Sequence, residues 1–151
     1  MLVDHQLLVE KFVKSLNDLD RDQLASLFTD DFMADWPQSG ERIRGIDNMW
    51  TIIVHYPGAN ESAPRGEPAT LRHQPTGAFK LVSPACTVVS VEGGGNSGVA
   101  VWRIIYPDGS HWWTISIYHL RDGRIDRMTS YFAPEFPAPE WRAAYVERMP
   151  A

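Results

Sequence analysis

The chain has 151 residues, 44% of them hydrophobic and 22% charged, and its 14 Lys and Arg against 19 Asp and Glu give a formal net charge of -5. The apolar content excludes a disordered chain, and the single cysteine excludes an internal disulfide scaffold. The acidic balance argues against a nucleic-acid binder, and the length indicates one domain over residues 1–151. Six Trp, five Tyr and six Phe are a heavy aromatic load, which indicates a cavity or an interface.

The first third of the chain has the apolar spacing of helices. Leucines and Phe12 recur at three- and four-residue steps, which predicts an amphipathic helix over about residues 4–17. Asp20 is a candidate N-cap for a second, short helix. A short strand is predicted over residues 32–36 and stops at Pro37. A third helix is predicted from residue 45 to residue 54, before Tyr56-Pro57-Gly58.

The second half of the chain has the alternation of strands. They are predicted over residues 79–91, broken near Pro84, and over 99–106, 111–120 and 125–132. Asp108-Gly109 and Asp122-Gly123 each have the composition of a two-residue hairpin turn. A stiff linker over residues 134–139 leads to a closing helix over 140–149. Helices followed by a run of antiparallel strands predict an α+β fold, in which a curved sheet and its helices form a cone.

Residues 57–75 are rich in Pro, Gly, Ala and Glu, which predicts a long loop. A lid, a binding loop and a plain surface loop all remain open for it. No stretch has the 18 or so apolar residues of a membrane span, and charged residues interrupt the N-terminal segment, so no signal peptide is expected. The chain is therefore expected in the cytoplasm, with Cys86 as an inert core residue.

Several segments resemble the nuclear transport factor 2-like superfamily. They are residues 27–37 (LFTDDFMADWP) followed by Gly45, and Asp122-Gly123-Arg124-Ile125 followed by Tyr131-Phe132. The closing run over residues 136–147 is similar to the polyketide-cyclase-like, or SnoaL-like, branch. The resemblance implies a cone-shaped, cystatin-like fold, in which a curved antiparallel sheet wraps around N-terminal helices and a C-terminal helix follows. It implies no single function, because the fold hosts isomerases, cyclases, epoxide hydrolases, dehydratases and non-catalytic partners.

The resemblance also allows a comparison with the catalytic residues of ketosteroid isomerase. That enzyme uses an Asp base with a Tyr and a protonated Asp as oxyanion donors. The matching positions here are Phe12 for the Tyr, Trp36 for the base and Ser116 for the protonated Asp. Since Phe12 has no donor and Trp36 no carboxylate, ketosteroid isomerisation is not expected. The Arg and two carboxylates of limonene-type epoxide hydrolases are not matched either.

The same alignment implies which side chains face the cone. If Ser116 faces inward, residues 112, 114 and 118 share its face. A two-residue turn at Asp108-Gly109 would set Arg103 opposite Thr114 and turn the odd-numbered residues of 99–105 inward. In the last strand, a bulge common in the family would present residues 128, 130 and 132. The predicted ligand-binding set is Phe12, Leu16, Trp36, Trp50, Tyr56, Val101, Trp112, Thr114, Ser116, Tyr118, Met128 and Phe132.

Three polar residues are candidates for chemistry in the cone. Arg103 would clamp a carboxylate or stabilise an oxyanion there, although a structural ion pair with Asp35, Glu135 or Asp126 is the more common role of a buried Arg. Asp35 and His55 are the candidate general bases, with an exposed or capping Asp and a structurally satisfied His as the alternatives. No His or Cys cluster has metal-ligand spacing, so neither a metal nor a cofactor is expected.

The opposite face of the predicted sheet carries a second apolar set, which is Trp102, Ile104, Tyr106, Trp113 and Ile115. Because the superfamily often packs this face on a second subunit, the resemblance implies a homodimer. Three functions remain open: an acid/base catalyst of cyclase, isomerase or dehydratase type acting on a small apolar or aromatic molecule, a non-catalytic binder of such a molecule, and a dimeric interaction module. No nucleic-acid or membrane partner is expected.

Overall fold

The computed structural model describes residues 2–56 and 85–150. Its helices are α1 (His5–Asp18), α2 (Arg21–Ser26) and α3 (Gly45–Val54), and a 3-10 helix covers Glu140–Tyr145. Its strands are β1 (Phe28–Trp36), β2 (Glu41–Arg44), β3 (Ala85–Gly94), β4 (Ser97–Ile105), β5 (His111–Arg121) and β6 (Arg124–Pro134). None of the helices in these ranges is long and apolar enough to cross a membrane. The predicted loop over residues 57–75 and the start of the strand predicted over 79–91 lie outside the described residues.

The six strands form one sheet in the order β2-β1-β6-β5-β4-β3. Every neighbouring pair is antiparallel except β1 and β6, which run parallel. The predicted α+β fold is thus confirmed, but the sheet is mixed. The sequence pattern missed β2, and the closing helix is a single 3-10 segment shorter than predicted.

Helices α1 and α2 begin where Asp side chains satisfy free backbone N–H groups. The Asp4 carboxylate accepts from the Leu7 N–H at 3.0 Å, and the Asp20 carboxylate accepts from the Gln23 N–H at 3.0 Å. These are the N-caps expected of Asp. Both helices then bury their apolar side against the inner face of the sheet, where α1 packs on β3 and the core includes the fully buried Leu24 and Phe32.

The two hairpins of the second half differ in loop length. Asp122 and Gly123 form a two-residue turn, both with positive φ (53° and 77°), and connect the Arg121–Arg124 pair as predicted. The β4–β5 hairpin closes instead where the Tyr106 N–H donates to the carbonyl oxygen of Ser110, at 3.0 Å. Its loop therefore has three residues, 107–109, with Gly109 at φ 84°. The extra residue shifts the pairing by one, so Arg103 lies opposite Trp113.

Gly98 on β4 makes room for a side chain of β5. A Cβ added at Gly98 would overlap the Tyr118 hydroxyl oxygen, which itself forms a hydrogen bond with His5 Nδ1 at 2.9 Å. We expect Gly98→Ala to lower the free energy of unfolding by about 1–3 kcal/mol, the usual cost of overpacking, in urea denaturation. Gly94→Ala in the same hairpin is the matched control, since an added Cβ there meets nothing within 4 Å. Equal stabilities of the two variants would contradict the contact.

Candidate ligand cavity

A cavity of about 330 Å³ lies between the helices and the inner face of the sheet. Its volume is at the small end of the range for ligand pockets, about 300–1,000 Å³. Residues of α1 and α3 and of the segments just after them contribute one wall: Phe12, Leu16, Leu19, Met49, Ile52, Ile53 and Tyr56. Residues of the strands and of the β4–β5 loop contribute the other: Trp36, Cys86, Trp102, Ile104, Tyr106, Trp112, Met128, Ser130 and Phe132.

The aromatic side chains of the wall hold one another in place. Trp36 meets Phe132 edge to face, with centroids 5.4 Å apart and an angle of 83°. Tyr106 stacks on Tyr56 at 4.8 Å and meets Trp112 edge to face at 5.8 Å. Such pairs add about 0.5–1.5 kcal/mol each beyond the area they bury. These contacts thus hold the rings that bound the cavity against one another.

The titratable side chains on the described wall are all neutral near pH 7. Burial raises the pKa of Cys86 from 9.0 to about 12. Burial also raises the pKa of Tyr106 far above the usual tyrosine value, with a smaller contribution from Tyr56. The pKa of Tyr56 is raised by burial and then by the nearby Asp108 carboxylate. Asp, Glu, His, Lys and Arg do not occur among the described wall residues.

Ser130 contributes a hydroxyl to this otherwise apolar wall. Its Oγ lies 2.8 Å from the Oγ of Ser116, which is fully buried behind it on β5. The indole N–H of Trp102 donates to the same Ser116 oxygen at 3.1 Å. The three side chains therefore form a short hydrogen-bonded chain that ends at the cavity.

The shift in pairing between β4 and β5 reverses the predicted orientation of the β4 side chains. Trp102, Ile104 and Tyr106 were predicted on the outer face, but they line the cavity. Val101 and Arg103 were predicted inside, but their strand positions alternate with the buried residues and face outward. The cause is the three-residue loop at 107–109, because a shift of one residue turns every side chain to the opposite face.

Most of the predicted ligand-binding residues lie on the cavity wall. Seven do: Phe12, Leu16, Trp36, Tyr56, Trp112, Met128 and Phe132. Thr114, Ser116 and Tyr118 are buried on the same face of β5 but do not reach the cavity. Trp50 packs against the core beside the wall, and Val101 is on the outer face.

Sequence reasoning overlooked two groups of wall residues. Met49, Ile52, Ile53 and Tyr56 recur at the three- and four-residue steps of one helix face, a signal that could have found the first three. Trp102, Ile104 and Tyr106 could have been found from Pro107, because a Pro-Asp-Gly sequence suits a type I turn followed by a left-handed Gly. Leu19 lies three residues after Leu16 and could have been found from the same helical spacing, whereas Cys86 carries no comparable signal.

The family model for the SnoaL-like domain matches residues 9–128. The chain belongs to the SnoaL-like domain family. The match covers both walls of the cavity almost completely and confirms the resemblance drawn from residues 27–37 and 122–132. No curated protein matches the chain.

Solved structures similar to this SnoaL-like chain share its nuclear transport factor 2-like fold. An NTF-2 like protein of unknown function from Burkholderia xenovorans LB400 is 28% identical, with a TM-score of 0.71 over 96% of this chain and 94% of that one. A candidate ketosteroid isomerase from Kribbella flavida DSM 17836 is 22% identical, with a TM-score of 0.71 over 97% and 90%. An LEH-like epoxide hydrolase from M. tuberculosis is 18% identical, with a TM-score of 0.58 over 84% and 80%.

In this SnoaL-like chain, the three candidate catalytic residues lie off the described cavity wall. Arg103 is on the outer face, where it pairs with Glu135 and its guanidinium carbon lies 5.0 Å from the Trp113 ring centre. The expectation of Arg103 inside the cone was therefore wrong, because it rested on the two-residue turn. Its ion pair with Glu135 is instead the structural role that a buried Arg more commonly has.

The hydrogen bonds of Asp35 and His55 indicate structural roles for both residues. Both oxygens of Asp35 accept from Arg42, at 2.6 and 2.7 Å, and this hydrogen bonding holds the pKa of Asp35 below its usual value. His55 ends α3, and its Nδ1 lies 2.8 Å from the carbonyl oxygen of Thr51. That contact makes Nδ1 the protonated nitrogen, because a carbonyl oxygen can only accept.

Over residues 2–56 and 85–150, no group of three or more His, Cys, Asp or Glu side chains could hold a metal ion.

Proposed function

We propose that this SnoaL-like chain binds a small, neutral, mainly apolar molecule with aromatic or fused rings in its cavity and releases it unchanged. One observation carries this proposal: the described wall has seven aromatic side chains and no ionised group. A desolvated apolar wall favours ring systems and disfavours charged ligands. Acid/base turnover needs a base within hydrogen-bond reach of the substrate, and Asp35 and His55 both lie off the described wall.

The Ser116–Ser130 pair supports a ligand with one hydrogen-bond acceptor. Ser116 already accepts from Trp102, and Ser130 is the other partner of its hydroxyl among the described residues. If Ser130 donated to Ser116, the buried Ser116 hydrogen would lack an acceptor, at a cost of about 1–3 kcal/mol. Ser130 is buried as well, but its side chain lines the cavity, so we infer that Ser116 donates to Ser130 and that the hydrogen of Ser130 is available to a ligand. A carbonyl, ether or phenol oxygen would accept it.

A matched pair of ligands tests this proposal. We expect the chain to bind both 2-acetylnaphthalene, which carries a carbonyl, and 2-ethylnaphthalene, which does not, in isothermal titration calorimetry. Ser130→Ala should weaken the acetyl compound by about 2- to 13-fold, the equivalent of one net hydrogen bond, and leave the ethyl compound unchanged. Ser97→Ala, at an exposed serine of β4, is the control and should alter neither affinity.

The outcomes separate the parts of the proposal. Failure of the wild-type chain to bind either compound would overturn ligand binding in the cavity. Equal loss for both compounds in Ser130→Ala would contradict the donor role of Ser130. If the wild-type chain converted the bound compound and the Asp35→Ala or His55→Ala variant did not, the protein would be a catalyst and not a binder.

We also propose a cytoplasmic location, with which the free thiol of Cys86 is consistent.

A further inference from the structure

Tyr106 brings a further hydrogen-bonding group to the cavity wall, besides Ser130. Its ring is held by its neighbours, because it stacks on Tyr56 at 4.8 Å and meets Trp112 edge to face at 5.8 Å. Across residues 2–56 and 85–150, the structure shows hydrogen bonds for the backbone of Tyr106 but none for its hydroxyl. That hydroxyl therefore has its hydrogen and its lone pairs available for another group.

The Tyr106 hydroxyl lies on the β3 side of the cavity and is shielded from water. Tyr106 is only partly exposed, and burial is the main cause that raises the pKa of its phenol far above the usual tyrosine value. Smaller contributions come from Tyr56 and from the thiol of Cys86 on β3, both of which line the cavity. A buried hydroxyl without a partner is costly, and a hydrogen-bond acceptor on a ligand would remove that cost.

Ser130 lies on the opposite side of the inner sheet face. The pairing register sets Cys86 on β3 in one row across the sheet with Pro134 on β6, and Ser130 lies four residues before Pro134. Three strand spacings of about 4.8 Å and four residue steps of about 3.4 Å therefore separate the backbones of Cys86 and Ser130. The wall residues of the sheet between them are apolar or aromatic: Trp102, Ile104, Trp112 and Phe132.

We propose that the cavity binds an elongated ring compound with a hydrogen-bond acceptor at each end, one held by the Ser130 hydroxyl and the other by the Tyr106 hydroxyl. This inference rests on the proposed function and narrows its ligand class. Two donors on opposite sides of an apolar wall match a rod-shaped molecule, because its rings cover the wall while its terminal oxygens accept from the two hydroxyls. A compound with a single oxygen would leave one of these hydroxyls without a partner.

Two biphenyls of similar shape test the second contact. 4,4′-Diacetylbiphenyl has a carbonyl at each end, whereas 4-acetyl-4′-ethylbiphenyl has one, which the more deeply buried Ser130 would hold. In isothermal titration calorimetry, we expect Tyr106→Phe to weaken the diacetyl compound by about 2- to 13-fold, the equivalent of one net hydrogen bond, and to leave the acetyl-ethyl compound unchanged. Tyr131→Phe, at a tyrosine on the outer face of β6 that is 43% exposed, is the control and should alter neither affinity.

The double variant Ser130→Ala/Tyr106→Phe tests whether both ends are held at once. Its loss of affinity for the diacetyl compound should be the product of the two single losses, because the free-energy effects of distant, independent sites add. Single variants that each lose less than about twofold, with the full loss only in the double variant, would mean that the ligand reverses and contacts one end at a time. That result would overturn the proposal.

The remaining outcomes separate this inference from the proposed function. The free Tyr106→Phe variant should unfold at the same or a higher temperature than the wild type, because its hydroxyl has no hydrogen bond to lose. A lower temperature would assign the hydroxyl to the fold and overturn the inference. Loss of diacetyl affinity in Ser130→Ala but not in Tyr106→Phe, or a wild-type chain that binds the naphthalenes but neither biphenyl, would overturn the inference alone. Failure to bind any of the four compounds would overturn both.

Discussion

Trp102→Ala is expected to lower the free energy of unfolding by about 3–5 kcal/mol, the usual range for removing a buried aromatic side chain. Trp102 is 6% exposed, meets Phe12 edge to face at 5.7 Å and donates its indole N–H to Ser116. The substitution removes a wall of the cavity together with a hydrogen-bond donor. Urea denaturation followed by far-ultraviolet circular dichroism measures the loss without relying on tryptophan fluorescence, which the other five tryptophans would confuse.

Trp113→Ala is the matched control for that prediction, because it removes the same side chain from the opposite sheet face. Trp113 is partly exposed and its ring contacts the Arg103 guanidinium, so its loss should cost about 1 kcal/mol or less. Equally small losses for Trp102 and Trp113 would place both on the outer face, as the two-residue turn requires, and would contradict the observed register. Trp102→Phe should fall between, since it keeps a ring but leaves Ser116 without its donor.

The contrast between the two hairpins shows how far local sequence determined the fold. Asp122-Gly123 predicted its turn correctly, because both residues accept the positive φ that a two-residue hairpin requires. Asp108-Gly109 has the same composition, but Pro107 before it shifts the turn to Pro107-Asp108, with Gly109 as a left-handed third residue. Helices α1 and α2 needed no such discrimination, since Asp4 and Asp20 cap them directly and the apolar spacing gives their length.

The cavity wall could be predicted only in part, because the turns decide which face of each strand lines the cavity. Residues of β5 were assigned to the correct face from the alignment of Ser116, and residues of β6 from the expected bulge, which lies between His119 and Leu120. Residues of β4 were assigned to the wrong face because their orientation depended on one turn. The Ser116–Ser130 hydrogen bond could not be predicted, since it depends on the distance between side chains on paired strands and not on the pattern of either strand.

Cys86 offers a chemical measure of how apolar the cavity is. Both atoms of the Asn17 amide hold its backbone, with Nδ2 donating to the Cys86 carbonyl at 2.8 Å and the Cys86 N–H donating to Oδ1 at 2.7 Å. This clamp keeps the thiol at the start of β3, where it lines the cavity. Burial raises the pKa of Cys86 from 9.0 to about 12, so the thiolate at about pH 8 is about a thousandfold scarcer than in an ordinary cysteine.

We therefore expect iodoacetamide to alkylate Cys86 of the folded chain about 30-fold more slowly, or slower still, than the unfolded chain at about pH 8. The thousandfold scarcity of thiolate is offset by the higher nucleophilicity of a high-pKa thiolate, which recovers about 16- to 32-fold. Intact-protein mass spectrometry gives the rate, with guanidinium-unfolded protein as the reference. The pH profile distinguishes a raised pKa from restricted access: alkylation of the unfolded chain should level off above about pH 9, whereas a raised pKa makes the rate in the folded chain climb further. A slow rate that levels off at the same pH would mean that the wall only shields the thiol, and the cavity around Cys86 would then be more polar than its described residues imply.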